Sequence, residues 1–244
     1  MQDKNRMISN EQKLLYAKKE KIIFKRHFVA YEKHIKEFIG KDKLEIIDIG
    51  GASGNFANEI HSYFNKHNTE ASVKVIDYCE YDEWALFKNI SFIQESAFKA
   101  LTELQDNSVD LIFINLILHH IVLDTYKETR KAQIELLKLA YKKIKKNGLV
   151  LVNECYFQCP LLFEASTPVT FFMSSSKLSV VLNLSKILGS ISAGVGVCFL
   201  PKKAWKETFA RIGFILLDES EGEWKWVKKL LIREKLLYFI LTKK

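Results

Sequence analysis

Three prolines and ten glycines among 244 residues leave no material for a long low-complexity linker, and no stretch repeats at a fixed period. The four cysteines, Cys79, Cys155, Cys159 and Cys198, contain no Cys-x-x-Cys pair. Cys155 and Cys159 have neither a matching second pair nor a nearby histidine, so no metal is expected. The first ten residues are polar, without the apolar stretch of a secretory leader, which makes reduced thiols in a cytoplasm the default. Uninterrupted apolar runs of membrane length are also missing. Leu178 to Leu200 comes nearest, but Asn183, Lys186, four serines and three glycines break it. It reads as a buried or ligand-covering segment, with no membrane span.

What is present is the material of one globular domain over residues 1–244, with 48% hydrophobic and 27% charged residues. The formal net charge of +8 raises the question of a nucleic-acid partner. About six excess positive charges fall in each of 1–44, 127–146 and 225–244, and the rest of the chain carries a net charge of about −10, most of it in 45–126. Two of these runs look like solvated helix faces, so a Lys-rich surface that keeps the chain soluble is preferred to a nucleic-acid footprint.

Periodicity then divides the chain. Phe24, Phe28, Tyr31, Ile35, Phe38 and Ile39 recur at helical steps, which predicts a helix from about Glu11 to Gly40 within an N-terminal extension, 1–43, that packs on the rest. Strands follow at Leu44–Ile49, Val73–Asp77, Ser91–Gln94, Val109–Asn115 and Leu149–Glu154. A helix is expected after the first strand, from about Asn55 to Asn65, and another over Leu123–Lys146, stopped by Gly148. Beyond them come a helix over Ala204–Ile212 closed by Gly213, a sixth strand at Phe214–Leu217, and a turn at Gly222. A last run, Trp226–Ile232, would return antiparallel. This alternation predicts an α/β fold, a doubly wound, mostly parallel seven-stranded sheet with helices on both faces. Residues 155–201 fit no strand–helix unit and form a lid-like, mostly helical insertion.

The chemistry starts in the turn after the first strand, Asp48-Ile49-Gly50-Gly51-Ala52-Ser53-Gly54. Glycines there let the backbone turn sharply and approach a ligand, with the next helix's amides pointing at it. Such a turn alone serves dinucleotides, nucleotides and adenosyl cofactors alike. Asp77 ends the second strand, where a carboxylate can accept both ribose hydroxyls of an adenosyl ligand. Gly-x-Gly-x-x-Gly and Gly-Lys-Ser/Thr are both absent, which disfavours nicotinamide and Walker-type phosphate binding.

These motifs together resemble class I (Rossmann-like) S-adenosylmethionine-dependent methyltransferases. The likeness spans most of residues 40–235. It rests on Ile46 to Gly54, Asp77, the Leu-His-His-like run Asn115-Leu116-Ile117-Leu118-His119-His120, the step Lys146-Asn147-Gly148-Leu149, and Trp205 to Phe214. The resemblance implies that Gly50, Gly51 and Gly54 wrap the methionine part of the cofactor and that Asp48 anchors the loop. It further implies that Asp77 holds the ribose, Tyr78 packs on the adenine, and Asn115 lies near the methionine and sulfonium. Where the family places an acid for the adenine, this chain offers Ser96 and Ala97, with Glu95 next door. The short connection from Asp77 to Ser91 implies a reduced helix between the second and third strands.

Methyl transfer from a sulfonium asks an enzyme to align the acceptor and, where needed, to take its proton. His119 and His120 follow the fourth strand and Glu154 ends the fifth, both at the carboxyl edge that borders the ligand crevice. An imidazole oriented by a carboxylate is a suitable base near neutral pH, with His119 ahead of His120. The pair also resembles, by position, the His and Glu of carbon-methylating polyketide synthase domains. In the insertion, Phe163, Phe171, Phe172 and Met173 are candidates to touch substrate, and a packing or dimer role is the alternative. The expected function is methyl transfer to a small, partly apolar molecule at O, N or C. An RNA methyltransferase, or a non-catalytic cofactor-binding accessory subunit, is the alternative.

Overall fold

The computed structural model describes residues 25–158, 166–176, 178, 196–227 and 232–243. Seven strands, β1 (Lys43–Ile49), β2 (Glu70–Asp77), β3 (Ile90–Gln94), β4 (Val109–Asn115), β5 (Ile144–Gln158), β6 (Phe214–Val227) and β7 (Ile232–Lys243), form one sheet. Their order is β3-β2-β1-β4-β5-β7-β6. All neighbours from β3 to β5 run parallel, and β7 runs antiparallel to both β5 and β6. The order reverses between β1 and β4, and the carboxyl ends of strands at such a switch point open a ligand crevice.

Residues 25–35 form the helix α1, continued by a 3-10 turn at Lys36–Phe38. The part of the expected N-terminal helix before residue 25 lies outside the described residues. The remaining helices are α2 (Asn55–Lys66), α3 (Ala97–Glu103), α4 (Tyr126–Lys143), α5 (Ser166–Ser175) and α6 (Lys202–Ile212). Alternation along the strands feeds two cores, one on each face. Tyr31, Ile35 and Phe38 join Phe56, Ile60 and Phe64 of α2 over Leu44, Ile46, Leu111 and Phe113. On the other face, Leu136, Leu137 and Ala140 of α4 join Trp205 and Phe209 of α6 over Ile47, Ile49, Ile112 and Ile114. Each such large side chain contributes about 1.5–3 kcal/mol when fully buried. His27 is buried among them, and burial pushes its imidazole down to about 3, so it stays neutral.

Three expectations are corrected. The long helix α4 starts at a capping box between Thr125 and Glu128 and ends at Lys143. Gly148 does not stop it: Ile144 turns extended, Asn147 takes the left-handed turn, and Gly148 lies inside β5. A Cβ at Gly148 would come within 2.9 Å of the Asp110 carbonyl, so the glycine serves close strand passage. Gly222 is not in a turn either, but sits in β6 opposite Leu236. Of the expected last strand, Trp226–Ile232, residues 228–231 lie outside the described residues, Trp226 and Val227 end β6, and Ile232 begins β7. The apolar run Leu236–Leu241, buried throughout between β5 and β6, makes the antiparallel return. Between β2 and β3 only a 3-10 turn, Asp82–Leu86, remains of the usual helix.

Candidate active site

The glycine loop follows directly from β1. Gly50, Ala52 and Gly54 all have positive φ, at 71°, 45° and 82°. The turn is pinned by Gly50 N–H donating to the Ile76 carbonyl (2.7 Å) and Gly54 N–H to that of Gly51 (2.9 Å). Asp48 lies buried beneath it. A Cβ on Gly51 would stand 2.5 Å from Asp48 Oδ2, so only glycine lets the loop close over that carboxylate. Gly54 ends at the amino terminus of α2, with the Phe92 ring 2.6 Å from where its Cβ would be.

Asp77 faces this loop from the end of β2. Its Oδ2 accepts Ala52 N–H (3.0 Å) and its Oδ1 accepts Cys79 N–H (2.9 Å). The other side of the Ala52 peptide is held by Trp84, whose Nε1–H donates to the Ala52 carbonyl at 2.8 Å. Trp84 also stacks on Phe92, centroids 4.7 Å apart. Sequence reasoning missed Trp84. A large aromatic side chain seven residues beyond a strand-end acid is the signal that could have found it. Tyr78, next to Asp77 in the chain, is 37% exposed. Ser96 caps α3 through its hydroxyl, which accepts Lys99 N–H, and Ala97 is that helix's first residue. Glu95 accepts Ser96 N–H and pairs with Lys99 (2.5 Å), and both contacts hold its carboxyl below the usual range.

Asn115 closes β4. The next residue, Leu116, takes a left-handed φ of 55° while its N–H donates to Asn153. Such strain in a non-glycine residue costs on the order of 1–3 kcal/mol and collects at functional sites. Here it marks the bend that separates Asn115 from His119. The Asn115 carboxamide accepts a hydrogen bond from Tyr31 Oη (2.8 Å). Its Nδ2 is buried with no hydrogen-bond partner among the described residues.

Beyond the bend, Leu118–His120 form a 3-10 turn. Glu154 is fully buried: one oxygen accepts Leu118 N–H (2.8 Å) and the other meets His119 Nδ1 (2.7 Å). The two residues that sequence reasoning paired, 35 apart in the chain, are thus in direct contact. His119 is itself buried, flanked by the rings of His120 (4.2 Å) and Phe199 (4.8 Å). Burial first, then the neighbouring His119, holds the His120 imidazole well below its ordinary range. Residues 196–200 run across this edge as a strap, with Cys198 N–H donating to the His119 carbonyl. Gln133 of α4 donates to both the Leu118 carbonyl (2.8 Å) and that of Cys198 (3.3 Å), tying turn and strap together. A polar residue on the buried stripe that includes Leu136, Leu137 and Ala140 was the overlooked signal. Burial pushes the Cys198 thiol up to about 11, so it is no nucleophile.

Of the lid candidates, Phe171 is buried and set edge-on to Tyr126. Phe172 is 60% exposed and Met173 half-buried. Phe163 lies outside the described residues. No cluster of metal-ligating side chains exists among the described residues, and no described helix is long and apolar enough to cross a membrane.

A family model described as a methyltransferase domain matches residues 40–179, more than half of the chain. This chain belongs to the methyltransferase domain family. Its fold is that of class I S-adenosylmethionine-dependent methyltransferases. The glycine cradle that a Cβ would fill and the unpartnered Asn115 Nδ2 suit such a cofactor. Solved structures similar to this methyltransferase include a SAM-dependent methyltransferase from Archaeoglobus fulgidus. That likeness has 15% identity and a TM-score of 0.54, over 90% of this chain and 94% of that one. Another is the Haemonchus contortus phosphoethanolamine N-methyltransferase 2, in complex with phosphomonomethylethanolamine and S-adenosylhomocysteine (15%, TM-score 0.56, 86% of this chain, 51% of that one). A third is the arsenic(III) S-adenosylmethionine methyltransferase of Chlamydomonas reinhardtii (17%, TM-score 0.53, 84% and 65%). At these identities the likeness is one of fold. Curated protein sequences give no match.

Proposed function

We propose that this methyltransferase acts on a small, partly apolar acceptor at O, N or C, with His119 as the base and Glu154 as its orienting partner. The observation that carries this reading is the buried 2.7 Å contact between His119 Nδ1 and Glu154, under a strap of Val197, Cys198, Phe199 and Leu200. Glu154 accepts the Nδ1 proton, which leaves Nε2 as the basic nitrogen. The cofactor supplies an electrophilic methyl group on a sulfonium. Gly50, Gly51 and Gly54 hold its methionine part, with Asp48 as the anchor under the loop. Asp77 takes the ribose, Tyr78 packs on the adenine, and Ser96 with Ala97 borders the base. His119 Nε2 then takes the acceptor's proton where one must leave, and His120, held neutral, adds no competing charge. Phe172 and Met173 contribute the apolar wall of the lid.

Small acceptors also occur among the similar structures, in the phosphomonomethylethanolamine complex and in the arsenic(III) enzyme. Part of the positive charge among the described residues is matched within the chain. Lys143 pairs with Asp106, Lys145 with Asp110, and Lys202 and Lys206 with Glu219. A phosphate-binding face needs cations that are not already engaged in this way.

The test is methyl transfer from labelled cofactor to separated small-molecule and RNA fractions. Label is expected in a small molecule, and His119→Ala should lower kcat by about 10²–10⁴-fold with cofactor affinity kept. Label confined to RNA would overturn the acceptor class, and an unchanged kcat would remove His119 as the base.

A further inference from the structure

The helix α1 sends one polar group into the cofactor side of the crevice, and the sequence pattern showed only its packing. Tyr31 is fully buried, its ring tilted on Phe113 and set edge-on to Phe56 and Tyr238. At the end of that stack its hydroxyl donates to Asn115 Oδ1 at 2.8 Å. A carboxamide has one accepting and one donating end. Were Asn115 turned over, the buried Tyr31 proton would face an amino group and lose its acceptor. The bond from Tyr31 therefore decides which end of Asn115 is left over, and that end is Nδ2, a buried donor with no partner among the described residues. Native proteins rarely leave such a donor unmet, and a ligand oxygen is one way to meet it. Burial first, then Tyr238 and the Asp48 and Glu154 carboxylates, pushes the Tyr31 hydroxyl well above its ordinary range, so it keeps its proton.

We propose that Tyr31 is a positioning residue that locks the Asn115 carboxamide with its donor toward the cofactor, so that the site reads the carboxylate of the cofactor's amino-acid end. This rests on the cofactor site proposed above. Position supports that end over the adenosine end. Asn115 lies at the tip of β4, next to β1, whereas Asp77 lies on β2, one strand further away. An ammonium group is excluded as the target, because a donor cannot be met by another donor.

The experiment is titration calorimetry with two ligands, S-adenosylhomocysteine and 5′-methylthioadenosine. They share the adenosine and the thioether, and only the first has the amino-acid end. Tyr31→Phe keeps the ring stack and removes the hydroxyl. It should weaken S-adenosylhomocysteine about tenfold and leave 5′-methylthioadenosine within about twofold. Asn115→Ala should show the same selectivity with a larger loss, and the double variant should be no worse than Asn115→Ala. An equal loss for both ligands would make Tyr31 a support of the fold, and no loss for either would make the bond incidental. Both results overturn the proposal. If the unmodified protein binds neither ligand, the cofactor site itself fails and this inference fails with it.

Discussion

The two halves of the crevice are built in different ways. On the side proposed for the cofactor, most of the shape comes from one contiguous segment, Asp48 to Gly54, whose backbone conformation makes the cradle. On the transfer side, no local segment suffices. Glu154 receives Leu118 N–H and His119 from 36 and 35 residues away, and Gln133 and the strap at 196–200 close the assembly. A cradle of backbone tolerates little change in side-chain size. An assembly of buried side chains depends in addition on each of its hydrogen bonds. Substitutions on the two sides should therefore fail in different measurements, binding on one and turnover on the other.

The largest effect on binding is expected from Gly51→Ala. The added Cβ would meet Asp48 Oδ2 at 2.5 Å and Val75 at 3.0 Å, so the loop must move off its buried anchor. Affinity for S-adenosylhomocysteine should fall by about 100-fold or more, on the scale of 3 kcal/mol. Calorimetry beside a melting curve checks it. Affinity within threefold of the unmodified protein would mean that the loop's shape does not hold the cofactor. This side was the more legible in the sequence, because an acid, three glycines and their spacing are local features. What stayed hidden is what reaches the loop from elsewhere, Trp84 from the shortened β2–β3 connection and Tyr31 from α1.

Glu154→Gln should come next, with an effect on turnover. Glutamine keeps the shape and can still accept from Leu118 N–H, but it removes the charge that steadies a protonated His119. A kcat lower by about 10–100-fold is expected, with cofactor affinity kept within threefold. In the His119→Ala background the same change should do little more, since the two act as a unit. Independent losses that multiply would break the pair. The sequence showed this pair only through the order of its strands. The contact itself depends on the left-handed bend at Leu116 and on the strap, neither of which has a pattern in the sequence. The antiparallel pair β6 and β7 is less legible in the sequence for a related reason. An apolar run was assigned to Trp226–Ile232, whereas the sheet selects Leu236–Leu241, the run that can be buried on both faces between two strands.

Trp84→Phe should have the smallest effect and tests the comparison most finely, because it removes a side-chain contact from the backbone-built half. Ala52 holds a φ of 45°, which a residue with a Cβ adopts only under constraint. Two bonds supply it: Asp77 takes its N–H and Trp84 gives to its carbonyl. Phenylalanine can keep the stack on Phe92 but donates nothing, so the Ala52 peptide would be held on one side only. The loss of one such bond is worth about 1 kcal/mol, which corresponds to roughly fivefold in affinity for S-adenosylhomocysteine. Saturating cofactor should restore kcat in full, because the Trp84 side-chain contacts among the described residues, to Ala52, Tyr81 and Phe92, all lie away from His119. Intrinsic fluorescence gives a second reading, since an indole bonded to the loop should report its occupancy and the variant should lose that response. A lowered kcat at saturation would show that the loop's geometry reaches across the crevice to His119. The two halves would then be one mechanical unit, and the division between binding and turnover would not hold.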